Sequence, residues 1–417
     1  SLDRRQRQMC IRDRFILISF FGYSQRTSYS PYSYFGVGET NFSATVENQM
    51  MGGNTAYYDS VHQNMNNAAS LSKLKFVNYS VGVDLKNTSY LSASTNEKST
   101  AAAINYISVA IPTKILSFSF GIKPKTSVGY LLENDDKSKT PPELNRFTGS
   151  GGVSNAFVSI GFELFKNWGF GFSSSYAFGN LNHYHTKILE NIELYTRVSS
   201  ESSVSGLDYN FSTVYQKTFN EKITLYSSII YQPEANYKSR NNQIISTIDP
   251  NSSFGGDFEE IDLSGLGLKN TNIKIPNSLS FGFGLGQDKK WFLGFNYMKN
   301  DEGGYKNELM GLDNVEFKSS QTYSIGGFLL PEYNSFTNYF KTLTYRFGVR
   351  YKNGGLYVNN QQINEIGVNF GFGIPLAGVS SANLGFEFGQ RGTTKSSLIK
   401  EKFFSIRLGV SLNDLWF

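Results

Sequence analysis

Apolar and polar residues alternate with a period of two through most of this chain, and this pattern limits the possible folds more than any other feature. In the segment 343–351 the odd positions are all apolar or aromatic, whereas the even positions are Thr, Arg and Gly. The segments 156–164, 279–285 and 404–412 alternate in a similar way. Successive side chains of a β-strand point to opposite faces, so the pattern predicts strands whose two faces meet different surroundings.

The same segments indicate that one of those surroundings is lipid. Their polar face is rich in Gly, Ser, Thr and Asn, as in a barrel lumen, and their other face is rich in aromatic residues. Many run for ten or more residues, and a tilted strand needs about 9–11 residues to cross a bilayer. The longest apolar-rich run, 15–23, is too short for a membrane-spanning helix. We therefore predict an all-β protein folded as a transmembrane antiparallel β-barrel.

Fourteen segments fit a barrel strand. They are 76–85, 101–111, 114–129, 153–164, 167–180, 204–218, 222–236, 276–286, 290–298, 316–329, 341–351, 363–374, 379–390 and 402–412. The connections alternate between brief turns and long polar loops, the latter at about 130–152, 181–203, 237–275 and 299–315. Outer-membrane barrels have short periplasmic turns and long extracellular loops. We therefore expect the outer membrane as the location, with the first and last strands paired because a barrel in lipid must close.

The residues before the first strand divide into three parts. Residues 1–14 carry a net +3 of the formal net charge of +5 and the single cysteine, and we expect them to be a non-native leader. Residues 15–24 have the apolar core and small residues that end a signal peptide, with cleavage near Gln25. Residues 25–73 lack sustained alternation and are long for a connection, so we expect a periplasmic tail or a plug in the lumen of a barrel formed by residues 74–417. The nearly neutral remainder gives nucleic acid no electrostatic support as a partner.

Short motifs in this N-terminal part resemble a known family. The string 30–39, SPYSYFGVGE, resembles the opening of exported barrel proteins of the Bacteroidota. Met51-Gly52-Gly53, followed by Asp59 and then by Asn67, Ala69 and Ser70, resembles the hatch signature of the FadL/TodX outer-membrane transporters. Ala68 stands where that family has proline, which puts the conformation of that turn in question.

The resemblance, which spans about 30–417, implies the following. The barrel would have fourteen strands and an N-terminal hatch, with Gly52, Gly53, Asp59, Asn67, Ala69 and Ser70 as hatch residues. Hydrophobic, fatty-acid-like molecules would enter passively and leave sideways through a gap in the wall. The partners would be the lipid bilayer, lipopolysaccharide and those hydrophobic molecules. We expect no cofactor, and the sequence leaves open whether the barrel is monomeric.

One residue is a candidate for the gap. Pro124 lies in the third predicted strand and lacks the amide proton that a strand ladder uses. Pairing should therefore fail locally at this position. The alternative is that Pro124 lies above the membrane, where the strand merely frays into its loop.

The longest loop contains a second candidate site. Phe254, Phe258, Ile261 and Leu263 lie there among acidic residues and glycines, and they could form a hydrophobic surface for a ligand or for a protein partner. A protein-binding loop would suit an accessory barrel of the type 9 secretion system that captures cargo proteins, and this is one alternative function. A general porin is the other alternative.

Enzymatic and metal-dependent functions find little support. His183 and His185 share one strand face but lack further ligands nearby, and a zinc site needs three or four. The acidic residues of 257–262 lack the regular spacing of a calcium loop. No nucleophile or carboxylate pair stands beside a histidine base. We therefore expect neither a bound metal nor an enzyme.

Overall fold

The computed structural model of the protein describes residues 29–415 apart from 93–94, 220–221, 250–254, 302–306, 310–313 and 336. The expected leader (1–14) and signal-peptide remnant (15–24) lie outside the described residues. One α-helix, α1 (Val46–Met50), and four short 3-10 helices (Pro31–Tyr34, Ala68–Lys73, Tyr339–Thr342 and Lys395–Ser397) are present in the described part. None of these helices has both the length and the apolar content needed to span a membrane.

Strands make up most of the described chain. In order they are β1 (Glu39–Thr40), β2 (Val77–Leu91), β3 (Asn96–Pro112), β4 (Ser117–Asp136), β5 (Glu143–Phe165), β6 (Trp168–Leu189), β7 (Tyr195–Phe219), β8 (Ile223–Gln232), β9 (Ala235–Ile248), β10 (Gly255–Glu260) and β11 (Asn270–Ile275). The second half contains β12 (Ser278–Gln287), β13 (Trp291–Asn300), β14 (Val315–Phe317), β15 (Ser320–Leu329), β16 (Thr344–Asn353), β17 (Leu356–Val358), β18 (Gln361–Gln362), β19 (Glu365–Pro375), β20 (Ser381–Arg391) and β21 (Lys400–Asp414).

Fourteen of these strands form a closed antiparallel barrel. They are β2 to β8, β12, β13, β15, β16 and β19 to β21, each hydrogen-bonded to its neighbours. The last strand pairs with the first along its whole length, from Val77 opposite Asp414 to Leu91 opposite Lys400. The predicted strand number and the predicted closure are both confirmed. The start of β2 and the end of β21 lie beside the short turns, which places both on the periplasmic side.

The two faces of the wall differ as the alternation predicts. On β2, the outward side chains of Tyr79, Val81, Val83 and Leu85 are 39–45% exposed, whereas Ser80 between them is buried. The same exposure of apolar side chains recurs on the other barrel strands. This continuous outward apolar surface is the part of the wall that meets lipid.

Three of the long loops predicted from the sequence, 130–152, 181–203 and 237–275, are wrong, and in the last of them β9, β10 and β11 cover most of the range. Strand β4 extends to Asp136 and β5 begins at Glu143, so most of 130–152 is strand. In the same way, β6 extends to Leu189 and β7 begins at Tyr195, so most of 181–203 is strand. The reason is a hydrophobic core above the membrane, which we call the outer core. It consists of Val37, Val128, Tyr130, Val153, Ala177, Leu181, Val204, Tyr237, Ile273 and Ile275. Its members alternate along these strands and bury apolar area outside the bilayer, which stabilises the extensions.

Some predicted strand bounds also change. The segment 222–236 divides at Pro233, after which β9 leaves β8 and pairs with the extracellular part of β7. The segment 316–329 divides as well, because β14 joins β17 and β18 in a separate small sheet and the barrel strand begins only at Ser320. The start of 341–351 is a 3-10 helix, whose first turn is capped by the Asn338 side chain at 3.0 Å from the Phe340 amide.

Candidate functional site

Residues 29–73, which we call the luminal segment, lie inside the barrel against its wall. Many of the wall positions that meet the segment are glycine, and they occur on most of the barrel strands. A Cβ at any of these glycines would collide with the segment: Gly161, Gly171, Gly282, Gly294, Gly326, Gly348, Gly371, Gly385 and Gly409. The sequence alone predicts these inward glycines as part of an ordinary lumen wall. The structure shows a more specific role, because the absence of a side chain at these positions leaves the space that the segment occupies.

Gly52 and Gly53, the first predicted hatch residues, form a tight turn against this wall. Both have left-handed backbone conformations, with φ of 69° and 78°. The Gly52 backbone approaches Gly348 so closely that a side chain on Gly348 would meet the Gly52 amide. Gly53 packs on the ring of Phe42. Glycine fits both positions because other residues strain in this backbone region.

Asp59 organises the next turn of the segment. Its carboxylate accepts hydrogen bonds from the amides of Val61 at 2.8 Å and His62 at 2.7 Å, and its second oxygen lies 2.8 Å from the His62 ring. Burial alone would raise the pKa of Asp59, but His62 and these amides outweigh it and lower that pKa to about 2. For His62 the effect of burial has the opposite sign and lowers the pKa. The Asp59 carboxylate more than offsets it, so the pKa of His62 is raised. This ion pair stabilises the turn at residues 59–62 of the luminal segment, which lies outside the membrane-spanning strands.

Asn67, Ala69 and Ser70 bind the segment to itself and to the wall. The Asn67 side chain donates to the Thr55 carbonyl at 2.8 Å, and the Ser70 hydroxyl donates to the Asn67 carbonyl at 2.7 Å. The Ala69 amide donates to Ser212 of β7 at 2.9 Å. Ala68 forms the first residue of the helix Ala68–Lys73, so the turn exists without the proline that the family resemblance led us to expect.

A buried cluster of charges lies on the inner face of the wall, along β2, β16 and β19 to β21. We call it the ion cluster, and its members are Glu39, Asp84, Arg350, Glu365, Glu387, Arg391, Glu401 and Arg407. Arg391 lies 2.6 Å from Glu39 and 2.7 Å from Glu401, and Arg350 lies 2.6 Å from Glu365 and 3.2 Å from Glu387. Arg407 pairs with Glu387 and, at 3.6 Å, with Asp84. Glu39 belongs to the luminal segment, so the segment is held to the wall by charge as well as by packing.

The sequence held a signal for this cluster that was not used. The three arginines and three of the wall carboxylates occupy inward positions of β16 and β19 to β21, where the pattern otherwise places small polar residues. Buried charges are costly unless they are paired. Several charges of both signs on one face of adjacent strands therefore predict a network.

A cavity of about 510 Å³ lies between the segment and the wall. One side is lined by the ion cluster, and Phe42 of the segment places its ring 4.3 Å from the Arg350 guanidinium. The other side reaches β3 and β4, where Ala101, Ala103 and Pro124 contribute to the lining. The volume is in the range of small-molecule sites.

The wall is interrupted where the cavity reaches it. Pairing between β3 and β4 extends from Pro112 opposite Ser117 to Ile107 opposite Ile122 and, within the described residues, no further. The next residues of β4 include Pro124, followed by a bulge in its pairing with β5. Above this point β3 stays paired with β2 alone, so the two strands separate.

The luminal segment covers the β4 side of this break. The two residues of β1 pair with Thr126 and Ser127 of β4. The backbone N–H of Asn41 donates to the Lys125 carbonyl at 2.9 Å, and the Ser43 hydroxyl donates to the Pro124 carbonyl at 2.5 Å. The edge of β3 is left facing the cavity, where irregular backbone is tolerated in membrane proteins.

The loop residues singled out from the sequence do not form one surface. Phe254 lies outside the described residues. Phe258 on β10 is 75% exposed, whereas Leu263 is 3% exposed and buried in a turn of its own loop. Ile261 is partly buried between them. Of the three residues that the structure describes here, Phe258 alone is largely exposed to a ligand or partner.

The two histidines are used locally. His183 lies 2.7 Å from the Tyr130 hydroxyl, and His185 lies 2.7 Å from the Asn145 side chain. Among the described residues there is no group of three or more His, Cys, Asp or Glu that could hold a metal ion.

Comparison with known proteins agrees with this architecture. The BamG family model matches residues 8–417. No curated protein matches the chain in sequence.

Solved channels share the fold. The CymD monoaromatic hydrocarbon channel is similar with a TM-score of 0.59 at 12% identity, covering 90% of this chain and 98% of its own. The toluene transporter TodX of Pseudomonas putida gives 0.57 at 14% identity, with 91% and 99% covered. A FadL homologue of Pseudomonas aeruginosa gives 0.56 at 9% identity, with 92% and 100% covered. The fold is therefore that of the FadL and TodX outer-membrane channels, as the motifs led us to expect.

Proposed function

The chain belongs to the BamG family, and from this premise and its FadL-type barrel we propose that it is an outer-membrane channel for passive uptake of hydrophobic small molecules. We infer that these molecules leave sideways into the bilayer between β3 and β4. The observation that carries the proposal is the end of β3–β4 pairing at Ile107 and Ile122, beside the cavity.

The arrangement of the lumen supports a sideways route. A solute moving straight towards the periplasm meets the luminal segment, which packs on the wall through glycine contacts and is held by the ion cluster. A solute moving sideways meets Ala101, Ala103 and Pro124, which present small or apolar surface. Lys123 and Lys125 also line the cavity there, but their ammonium groups are bound, to Asn66 at 3.0 Å and to Asp208 at 2.6 Å. Burying apolar solute surface there lowers its free energy relative to water. The lateral direction is therefore the one that suits a hydrophobic molecule.

The size of the cavity supports a small ligand. A volume of about 510 Å³ admits a molecule of the size of an aromatic hydrocarbon or part of a longer chain. The charges of the ion cluster are paired with each other, which leaves them less free to bind water or ions than isolated charges would be.

One observation favours a second function, the binding of a protein partner outside the cell. Strands β5, β6 and β7 have 23, 22 and 25 residues, and a bilayer needs only about 9–11. The extracellular part therefore rises well above the membrane, and Phe258 is exposed on its edge. A type 9 secretion accessory that captures cargo proteins would use such a surface.

Uptake in cells separates these functions. The protein would be expressed in a bacterium that lacks its own channel for hydrophobic compounds, and the entry of radiolabelled toluene, oleate and arabinose would be followed. The proposal predicts faster entry of toluene or oleate with arabinose unchanged. Faster arabinose entry would indicate a general porin. Unchanged entry of all three, together with specific binding of secreted proteins that a Phe258→Ser variant loses, would indicate the partner-binding function.

A further inference from the structure

Three lysines lie together on the outer face of the wall. Lys98 is on β3, and Lys400 and Lys402 are on β21. Ser89 of β2 is paired with Lys98 on one side and with Lys402 on the other, so these three residues form one row across the sheet. Neighbouring strands are about 4.8 Å apart, which places the backbones of Lys98 and Lys402 about 10 Å from each other.

These side chains point away from the lumen. On β21, Glu401 and Phe403 are 1% and 7% exposed, and Lys402 between them is exposed. Lys98 is exposed on β3. Lys400 shares the face of Lys402 because side chains two apart on a strand point the same way.

The row lies directly above the lipid-facing surface. Below Lys402 on β21, the next outward residues are Phe404, Ile406 and Leu408. The Phe404 ring lies 4.7 Å from the Phe388 ring of β20, and together they belong to an aromatic girdle of the kind found at the membrane interface. The lysines therefore stand at the level of the lipid head groups on the extracellular side.

No carboxylate neutralises this patch within the described residues. None of the three lysines takes part in an ion pair there. Glu401 points into the lumen and is paired with Arg391. Glu97 is also exposed, but it is paired with Tyr90 of β2 and alternation places it on the opposite face of β3 from Lys98. Three cations on one outward surface thus remain available to an anion from outside the protein.

We propose that Lys98, Lys400 and Lys402 bind a phosphate group on the head group of an outer-leaflet lipid. Ammonium groups bind phosphate as charged hydrogen-bond donors, and the Ser89 hydroxyl lies in the same row to add a neutral donor. The acyl chains of that lipid lie below, over Phe404, Ile406 and the outward residues of β2. The site is separate from the cavity and does not depend on transport.

Lipid binding can be measured on the full chain in mild detergent by native mass spectrometry. The probes are lipid A carrying its phosphates, the same lipid A after enzymatic dephosphorylation, and inorganic phosphate. The test variant is the pair Lys98→Gln and Lys402→Gln. The matched control is the pair Lys217→Gln and Lys222→Gln, exposed lysines at the periplasmic end.

The proposal predicts that the protein prefers phosphorylated over dephosphorylated lipid A, and that the test pair weakens binding of the phosphorylated form roughly 30-fold, as expected for two charges near a lipid surface. The control pair keeps the preference. Equal binding of both lipids by the unaltered protein would overturn the proposal, as would an equal loss in the control pair. Displacement of the lipid by millimolar inorganic phosphate would assign the site to free phosphate and overturn the lipid assignment.

A measurement on the unaltered protein covers the case in which the test pair fails to fold. Because the contact is between exposed charges, raising the salt to 0.5 M should remove the preference for phosphorylated lipid A. Persistence of the full preference at that salt concentration would contradict the proposal.

Discussion

Glu39 of the luminal segment lies 2.6 Å from Arg391 of β20, and the same guanidinium lies 2.7 Å from Glu401 of β21. One arginine of the wall therefore holds a carboxylate of the wall and a carboxylate of the segment. All three side chains are at most 13% exposed, so water replaces these contacts poorly. The position of the segment is fixed at its β1 end by a buried pair that a moving segment would have to break.

Replacing Glu39 by Gln should loosen the segment. Removing one member of a buried pair costs about 3–5 kcal/mol when the other is left uncompensated. Arg391 keeps Glu401, so we expect a smaller loss of about 1–3 kcal/mol in the free energy of unfolding. Ion conductance in a planar bilayer should rise. Glu316→Gln, which removes an exposed pair with Lys318, serves as the control; a Glu39 variant as stable and as closed as this control would refute the role of the pair.

Replacing Gly348 by Ala should push the segment from the wall. The added Cβ meets the backbone of Met51 and Gly52, and backbone cannot move aside as a flexible side chain can. Overpacking of this kind costs about 1–3 kcal/mol, measured as the shift of the urea unfolding midpoint in detergent. The control is Gly265→Ala, since its Cβ would have only an Asp262 oxygen nearby, at 3.8 Å. Equal midpoints for the two variants would show that the segment does not rest on Gly348.

The Asp59–His62 pair should make stability depend on pH. The pKa of His62 is raised on folding, so its contribution is full below its ordinary value of 6.5 and is lost as the pH rises through the folded value. The pKa of Asp59 is lowered to about 2, so its contribution holds above its ordinary value of 3.8 and is lost as the pH falls towards 2. Glu47 and Arg346 also face His62, with opposite effects on it.

The stabilisation from this pair is therefore largest between about pH 4 and pH 6.5. The difference in unfolding free energy between the natural chain and a His62→Gln variant should shrink between pH 6 and pH 9. Urea unfolding at each pH measures it. A difference that stays constant across that range would contradict the charged pair.

Pro124→Ala should reduce lateral transport. The Pro124 carbonyl faces the luminal segment, and a proline offers no amide to a strand on that side. Alanine restores the amide and favours further pairing across the break. We expect slower toluene entry with an unchanged amount of folded barrel. The amount of folded barrel is measured from the difference in electrophoretic mobility between unheated and heated samples. Uptake at the full rate would show that the proline does not keep the wall open.

The barrel itself could be predicted from the sequence, because each strand carries its own period-two pattern. Fourteen separate segments give the same answer, and errors at single bounds such as Pro233 do not change the count. The long extracellular extensions could not be predicted as easily. Their strands are held by the outer core, whose members come from six strands and from Val37 of the luminal segment, and pairings of that kind are not visible in a local pattern.

The site was predictable only in part. Gly52, Gly53, Asp59, Asn67, Ala69 and Ser70 were found through a family resemblance, and the structure places all of them in the luminal segment. Pro124 was found from its chemistry, since a missing amide is a local property. The ion cluster joins residues up to 368 positions apart, Glu39 and Arg407, and only the closed barrel brings them together.

Blocking the break in the wall tests the central claim most directly. Ala103→Trp places a large side chain on β3 where it lines the cavity beside the break, whereas Ile104→Trp places the same side chain on the lipid face of the same strand, where Ile104 is 57% exposed. Entry of radiolabelled toluene is measured in cells with equal amounts of folded barrel. A lateral exit predicts that Ala103→Trp lowers entry to the level of cells without the protein and that Ile104→Trp transports normally. Normal entry with Ala103→Trp would contradict the lateral route.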